Sequence, residues 1–318
     1  MSTLIESLFA NARAAQGVRT HTPVGYDEPT HVMRVSKVEG TILDLSEPVA
    51  NIAAYFDDQG KLRRNPAVRP GVTDATVDPL AVARAHSRLA AAGAHLILRS
   101  PALPPRPVGP KGIVVMHREV FGMSVIQPLP MSVVPDGANA PILATLPVTS
   151  ASVDWSDEDS TPAYAVRLEI PRGEYRDRLH NGTLDQVLTA AILAGAGRIA
   201  DHALMTALSA AALSEFSLAG VAAAGLAFGE LRGVIGTAGN GAAVGQDGAL
   251  RASGITAELT DTGEHTFVGA FDHAAVILDR EIRITAERTS LDGALAVTVF
   301  ASAAALVPDP AKFFKVAA

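Results

Sequence analysis

The sequence predicts an α+β fold, and three observations carry that expectation. The segment "TLDQVLTAAILAGAGRIADHALMTAL", residues 183–208, reads as one long helix. The stretch Gly269 to Val316 reads as a strand, a turn and then a very long apolar strand closed by Pro-Asp-Pro. Between them strand, helix and glycine-loop signals follow one another with no internal repeat. In the C-terminal stretch, Ile282 and Ile284 fall on one face of a period-two pattern, against Glu281, Arg283 and Thr285 on the other. After a turn at Leu291-Asp292-Gly293, "ALAVTVFASAAALV" (294–307) is apolar or small on both faces, as a central buried strand is. At about 3.3 Å per residue it reaches on the order of 45 Å, well beyond an ordinary strand.

The remaining elements follow from the N-terminus. Residues 3–16 predict a short amphipathic helix, with Thr3 and Glu6 at capping-box spacing, a stripe of Leu4, Ile5, Leu8, Phe9 and Ala12, and Gly17 at the exit. A helix this short needs a partner surface. "HVMRVSKVEGTILDL" and "VANIAAYF" read as strands within 30–56, followed by the basic loop "DDQGKLRRNPAVRPG". Asp78, Pro79 and Gly93 bound a second helix over 78–93. "SPALPPRPVGPKG" holds five prolines in thirteen residues and predicts an extended connector, where the main domain boundary is expected. "GIVVMHREVFGMSVI" resumes strand character, and residues 127–163 form a long excursion rich in Pro, Ser, Thr and Asp. "YAVRLEIP" (164–171) is a strand. The helix of 183–208 opens with Thr183 and Gln186 in capping-box register, and Gly195 and Gly197 permit close backbone approach. Beyond it, "AGLAFGELRGVI" reads as a helix and "GTAGNGAAVGQDG" as a glycine-rich loop.

Composition narrows the function. The 318 residues are 48% hydrophobic and 19% charged, enough for a sizeable core, with mean hydropathy +0.23 and 5% aromatics. No window approaches eighteen uncharged residues of membrane-type bulk, and the N-terminus lacks the basic region of a secretory signal, so no membrane partner is expected. The absence of cysteine excludes disulfides, thiolate catalysis and Cys-based zinc sites. Net charge is −7 but uneven: residues 1–124 hold 14 Lys and Arg against 11 Asp and Glu, and residues 125–318 hold 12 against 22. An acidic chain without a basic stripe is poorly suited to sequence-specific nucleic-acid binding, though it can face packaged nucleic acid without gripping it.

Every chemical motif has a plainer reading beside it. "GNGAAVG" (Gly239–Gly245) lacks the spacing, the following helix and the Lys-Ser/Thr of a phosphate cradle. The acidic run Asp154, Asp157, Glu158 and Asp159 lacks the Gly and terminal Glu of a calcium loop and reads as a solvated or partner-facing turn. The nine histidines form no HExxH or HxH, and Asp201-His202 lies mid-helix. No GxSxG elbow occurs. Arg172, Arg176 and Arg178, interleaved with Glu174 and Asp177, read as a salt-bridged or intersubunit surface. No catalytic residue, cofactor site or metal site emerges, which points to a structural protein rather than an enzyme.

The order of elements resembles the major capsid protein of tailed bacteriophages, the Hong Kong 97-type fold, over roughly residues 112–318. "TFVGAFDHAAVILDREIRITAE" and "ALAVTVFASAAALVPDPAKFFKV" carry the resemblance most specifically, with "TPAYAVRLEIPRGEYRDRL" and the helix after it. It implies an N-terminal arm and additional segment over 1–111, a lead-in strand over 112–130, and an extended hairpin (E-loop) over 131–163 lying on a neighbouring subunit. It implies a peripheral domain of 164–208 and 294–318 with a spine helix, and an axial domain of 209–293 with 237–248 near the capsomer axis. A competing placement puts the E-loop at 30–70. The implied function is a virion shell of hexamers and pentamers around double-stranded DNA contacted non-specifically, assembled in the host cytoplasm. Portal and decoration proteins are implied partners. A chain beginning at Met1 implies a separate scaffolding protein. Some family members weld subunits through a Lys–Asn bond, but residues 112–311 contain no lysine, leaving Lys37 and Lys61 only if the E-loop lies in the N-terminal third. Noncovalent assembly is therefore expected, with the acids of 154–159 at the hairpin tip meeting Arg172, Arg176 and Arg178 of an adjacent subunit. Two alternatives stand beside this: an encapsulin-like compartment with the same fold, and an α/β enzyme binding a phosphorylated ligand at 237–248.

Overall fold

The computed structural model describes residues 4–14, 18–20, 32–34, 39–63, 75–100, 106–108, 113–115, 119–129, 131–155, 162–288 and 294–317. The chain forms two compact units, each assembled from three separate stretches. The first comprises Met1–His86, Ala163–Ile199 and Leu278–Ser302, and the second Ser87–Pro162, Ala200–Ile277 and Ala303–Ala318. None of these borders falls in the proline-rich connector.

The first unit is built on an antiparallel sheet. The part of the 12-residue closing strand Leu295–Leu306 that belongs to this unit, up to Ser302, lies between Glu281–Arg288 and Ala163–Ile170, and Glu39–Asp44 extends the far side. Ile282, Ile284 and Ala286 are buried while Glu281 and Arg283 are exposed, so the alternation works as the sequence predicts. The closing strand is central and mostly buried, but not on both faces throughout. Phe300 is exposed, opposite Arg283, which in turn faces Ile42 on the open side of the sheet. The first helix, α1 (Leu4–Ala14), packs Ile5, Leu8, Phe9 and Ala12 into the core and leans on the strands 39–44 and 281–288. Its Phe9 ring meets Tyr175 edge-on at 5.8 Å. Arg280 donates to Asp44, tying the N-terminal strand to the strand beside it. Burial alone would raise the Asp44 carboxyl, but hydrogen bonds from Arg280 and Ser46 outweigh it and hold the carboxyl below its ordinary value.

The single helix expected over 78–93 is two, α2 (Pro79–His86) and α3 (Arg88–Ala91). The break is at Ser87, whose extended backbone (φ −84°, ψ 124°) lets its hydroxyl accept from the Ala90 amide at 2.9 Å. The cause lies far along the chain. Asp201 accepts from the Ser87 hydroxyl at 2.5 Å and from the Arg88 and Leu89 amides at 2.8 and 3.1 Å, satisfying the opening turn of α3. Burial pushes the Asp201 carboxyl up against the pull of those three donors.

A short helix, α4 (Arg172–His180), precedes α5 (Leu184–Ala210), a single helix of 27 residues. By length and composition α5 is apolar enough to cross a membrane, which corrects the sequence reading. Its small Ala and Gly residues supply hydropathy without bulk. In the structure 67% of its most apolar stretch is buried inside the protein, as a core helix requires.

The second unit carries a mixed sheet in which Arg232–Ile235 lies between Ile255–Leu259 (parallel) and Phe267–Gly269 (antiparallel). Phe313–Lys315 pairs on the far side of 267–269. Leu231, Ile235, Ile255, Val268, Phe314 and Val316 form its core. The helix expected over "AGLAFGELRGVI" is overturned here. Helix α6 (Leu218–Ala223) ends before it, Gly225 turns with φ 67°, and Arg232–Ile235 is a strand. Gly236 allows the chain to pass close beneath the backbone of Gly263–His265, because a Cβ there would lie 2.5 Å from two carbonyl oxygens. Lys312 is buried and donates through Nζ to the Ala224 carbonyl at 2.5 Å, capping α6 with a cation.

Candidate assembly interface

An extended hairpin leaves the second unit. Val120–Ile126 pairs antiparallel with Val148–Asp154, from Val120 opposite Asp154 to Ile126 opposite Val148. Val120–Ile126, from the lead-in strand expected within 112–130, and Val148–Asp154, from the loop expected over 131–163, are therefore two sides of one ribbon. Its residues alternate in burial. Phe121, Met123, Ala151 and Val153 pack with Trp155 onto Ala275, Ile277, Ala304 and Leu306. At the root, the Trp155 amide donates to the Glu119 carbonyl at 2.8 Å. Arg99 stands 5.1 Å from the Trp155 ring and pairs with the Glu119 carboxylate. A two-stranded ribbon is marginal by itself, and this packing is what holds it.

Beyond Gln127 the support ends. Every described residue from 131 to 146 is exposed, and the chain turns once, with the Ala138 amide donating to Pro135 at 3.0 Å. The exposed residues are not polar: Met131 is 87% exposed, Val133 97%, Ile142 94% and Leu146 83%. Isolated apolar side chains on a surface are ordinary, but a whole projecting arm of them marks an interaction surface. Residues 39–56, part of the competing placement, instead enter a sheet and a buried core with Leu43, Leu45, Ile52 and Phe56.

Asp154 occupies a different place from the one expected. Asp154 ends the returning strand and sits at the root of the hairpin, not at its tip, because the ladder pairs it with Val120; the tip turn is near Asp136-Gly137. Asp157, Glu158 and Asp159 lie outside the described residues. Arg172, Arg176 and Arg178 all fall on α4. Arg178 donates to Glu174 at 2.8 Å one turn away, and Arg176 lies 3.6 Å from Asp177. The cluster is thus partly neutralised within its own helix.

The glycine-rich loop 237–248 holds no phosphate cradle. Ala242–Val244 pairs with Leu250–Ala252 as a hairpin. Asp247 accepts from the Ala249 amide at 3.1 Å and pairs with Arg251 at 2.6 Å, and these partners, the amide first, lower its carboxyl. A carboxylate held ionised in the turn repels an anion. Among the described residues no group of three His, Asp or Glu is placed to hold a metal ion. His202 is exposed on α5 with Thr206 3.4 Å away.

Lysine placement bears on covalent linkage. Lys61 is exposed, Lys312 is buried as described, and the Lys315 amine lies 3.4 Å from His265 Nε2; Lys37 and Lys111 lie outside the described residues.

No protein-family model matches the sequence, and no curated protein matches it. Solved structures do resemble the chain. The capsid of an empty GTA particle is 12% identical, with a TM-score of 0.43, over 80% of this chain and 95% of that one. The procapsid of satellite phage P4, solved with its size-determination protein, is 9% identical, with a TM-score of 0.43, over 74% and 96%. A virus-like particle from Pyrococcus furiosus is 8% identical, with a TM-score of 0.40, over 71% and 90%.

Proposed function

We propose that the chain is the shell subunit of a tailed-phage head, assembling with copies of itself as hexamers and pentamers around packaged DNA. The observation that carries this reading is the apolar arm of residues 128–147. A core of buried Phe, Leu and Ile residues coexists with a projection whose Met131, Val133, Ile142 and Leu146 have nothing of their own unit to cover them. A neighbouring copy covers such an arm, and symmetry repeats that burial at every subunit. In this reading the arm is the E-loop, α5 and the closing strand are the long elements of the wall, and the sheet around Arg232–Ile235 is the axial domain. Scaffolding and portal proteins are its further partners, and the role is structural rather than enzymatic.

Assembly is noncovalent in this reading. The arm has no lysine, and Lys312 is enclosed. In this reading Asp154, Asp157, Glu158 and Asp159 meet Arg172, Arg176 and Arg178 of an adjacent subunit, with Asp154 reaching out from the root of the hairpin. Negative-stain microscopy of purified protein, with and without nuclease, tests the proposal. Closed shells are the expected result, and dispersed small oligomers at all concentrations sink it. Boiling the shells in denaturing gel buffer should leave a monomer band, whereas a ladder of multimers overturns noncovalent assembly.

A further inference from the structure

The arm is exposed, but its point of departure is not loosely held. Gln127, the first residue past the ribbon, donates from its amide to the Pro147 carbonyl at 2.7 Å, closing the ladder by one more rung. Its side chain does something separate. Gln127 Nε2 donates to Asp309 Oδ2 at 2.7 Å, joining residues 182 positions apart. The other oxygen of the same carboxylate accepts from the Ala311 amide at 3.2 Å. Asp309 is the middle residue of Pro-Asp-Pro, and Pro310 opens the short 3-10 turn Pro310–Lys312. A proline on each side restricts the backbone at Asp309, so its carboxylate is presented from a stiff turn.

We propose that Gln127 and Asp309 form a latch that sets the direction of the arm. The ribbon up to Ile126 is fixed by the packing of Phe121, Met123 and Trp155 on the sheet. Residues 128–147 carry prolines at 128, 130, 135, 141 and 147, which stiffen an extended chain and concentrate bending at its base. Gln127 stands at that base, between the packed ribbon and the exposed arm. Its hydrogen bond to a charged acceptor is the outermost side-chain tie among the described residues of the hairpin. Breaking it leaves the ribbon packed and frees the arm to swing. That the arm exists to dock on a neighbouring copy rests on the shell reading; the latch itself does not.

The chain has no cysteine, so two introduced cysteines carry all of a spin label. Labels at Ser132→Cys on the arm and Ala222→Cys on α6 lie in the same unit and on exposed positions. Measured in the full chain with an excess of unlabelled chain, the parent should give one narrow distance distribution. Gln127→Glu sets two carboxylates against each other and should broaden it at least about twofold, since losing one bond to a charged acceptor shifts a local equilibrium tenfold or more. Gln127→Ala should broaden it less, and Gln127→Lys should restore the narrow width by pairing with Asp309. An unchanged width in Gln127→Glu overturns the latch, as does equal broadening in Gln127→Ala and Gln127→Lys, which assigns the effect to lost packing. Melting temperatures of the three variants should match the parent; a matched fall in all three together with broadening also overturns it. If the widths respond as expected but the parent forms no shells, the shell reading fails and the latch stands.

Discussion

The closing strand 295–306 and the arm 128–147 are both long, extended and rich in apolar residues, yet they have opposite fates. Leu295, Ala296, Val297 and Val299 are buried, whereas Met131, Val133, Ile142 and Leu146 stand in the open. The strand has neighbours along its edges within its own chain, and between Gln127 and Pro147 the arm has none among the described residues. Apolar content therefore does two jobs in one polypeptide. In the first region it stabilises the subunit, and in the second, on the shell reading proposed above, it is held in reserve for contact with another copy. Stability and assembly become separable by mutation.

The largest effect on the subunit should come from its core. Phe271→Ala removes a ring that is fully buried and meets Phe313 edge-on at 5.4 Å, and about 3–5 kcal/mol of unfolding free energy should be lost in denaturant titration. Next comes Asp201→Ala, which leaves the Ser87 hydroxyl and two amides of α3 without their acceptor. It should cost about 2–4 kcal/mol, and Asp201→Asn, which keeps one oxygen, less. Asp44 gives a smaller, pH-dependent effect. Its folded carboxyl lies below the ordinary 3.8, so its stabilising contribution is present above that value and is lost as pH falls through the folded value. The difference in melting temperature between parent and Asp44→Asn should accordingly be largest near neutral pH and shrink below about pH 4. The smallest effect on stability, within about 0.5 kcal/mol, belongs to the pair Val133→Asp and Ile142→Asp on the arm. That same pair should abolish shells in the microscope. If it melts the subunit instead, or leaves shells intact, the division between the two regions is wrong.

Much of the fold was legible because its cause is local. The helix of α5, the alternation at Ile282 and Ile284 and the long closing strand are written in spacing alone. The misreadings share a different origin. The helix broken at Ser87 depends on Asp201, 114 residues away, so no local rule marks it. "AGLAFGELRGVI" has helical spacing, but strands 255–259 and 267–269 claim Arg232–Ile235, and pairing decides the outcome. Asp154 reads as a tip residue because the midpoint of a hairpin cannot be found without its register, which here pairs Asp154 with Val120. Of the residues that fix the arm, Trp155 alone carried a signal: it is the single tryptophan, set in the polar run "SVDWSDED". Gln127 and Asp309 meet only in three dimensions.

The arm is also a lever. From Gln127 to the turn near Asp136 is about nine residues, a reach of up to about 30 Å when extended. At that length a rotation of about 10° at the base carries the tip about 5 Å, roughly the spacing of neighbouring strands. The angular tolerance of one side-chain hydrogen bond is thereby magnified into a choice of which row of residues the tip meets. A shell whose subunits must reach over flat and curved surroundings alike would have its curvature written in that small angle.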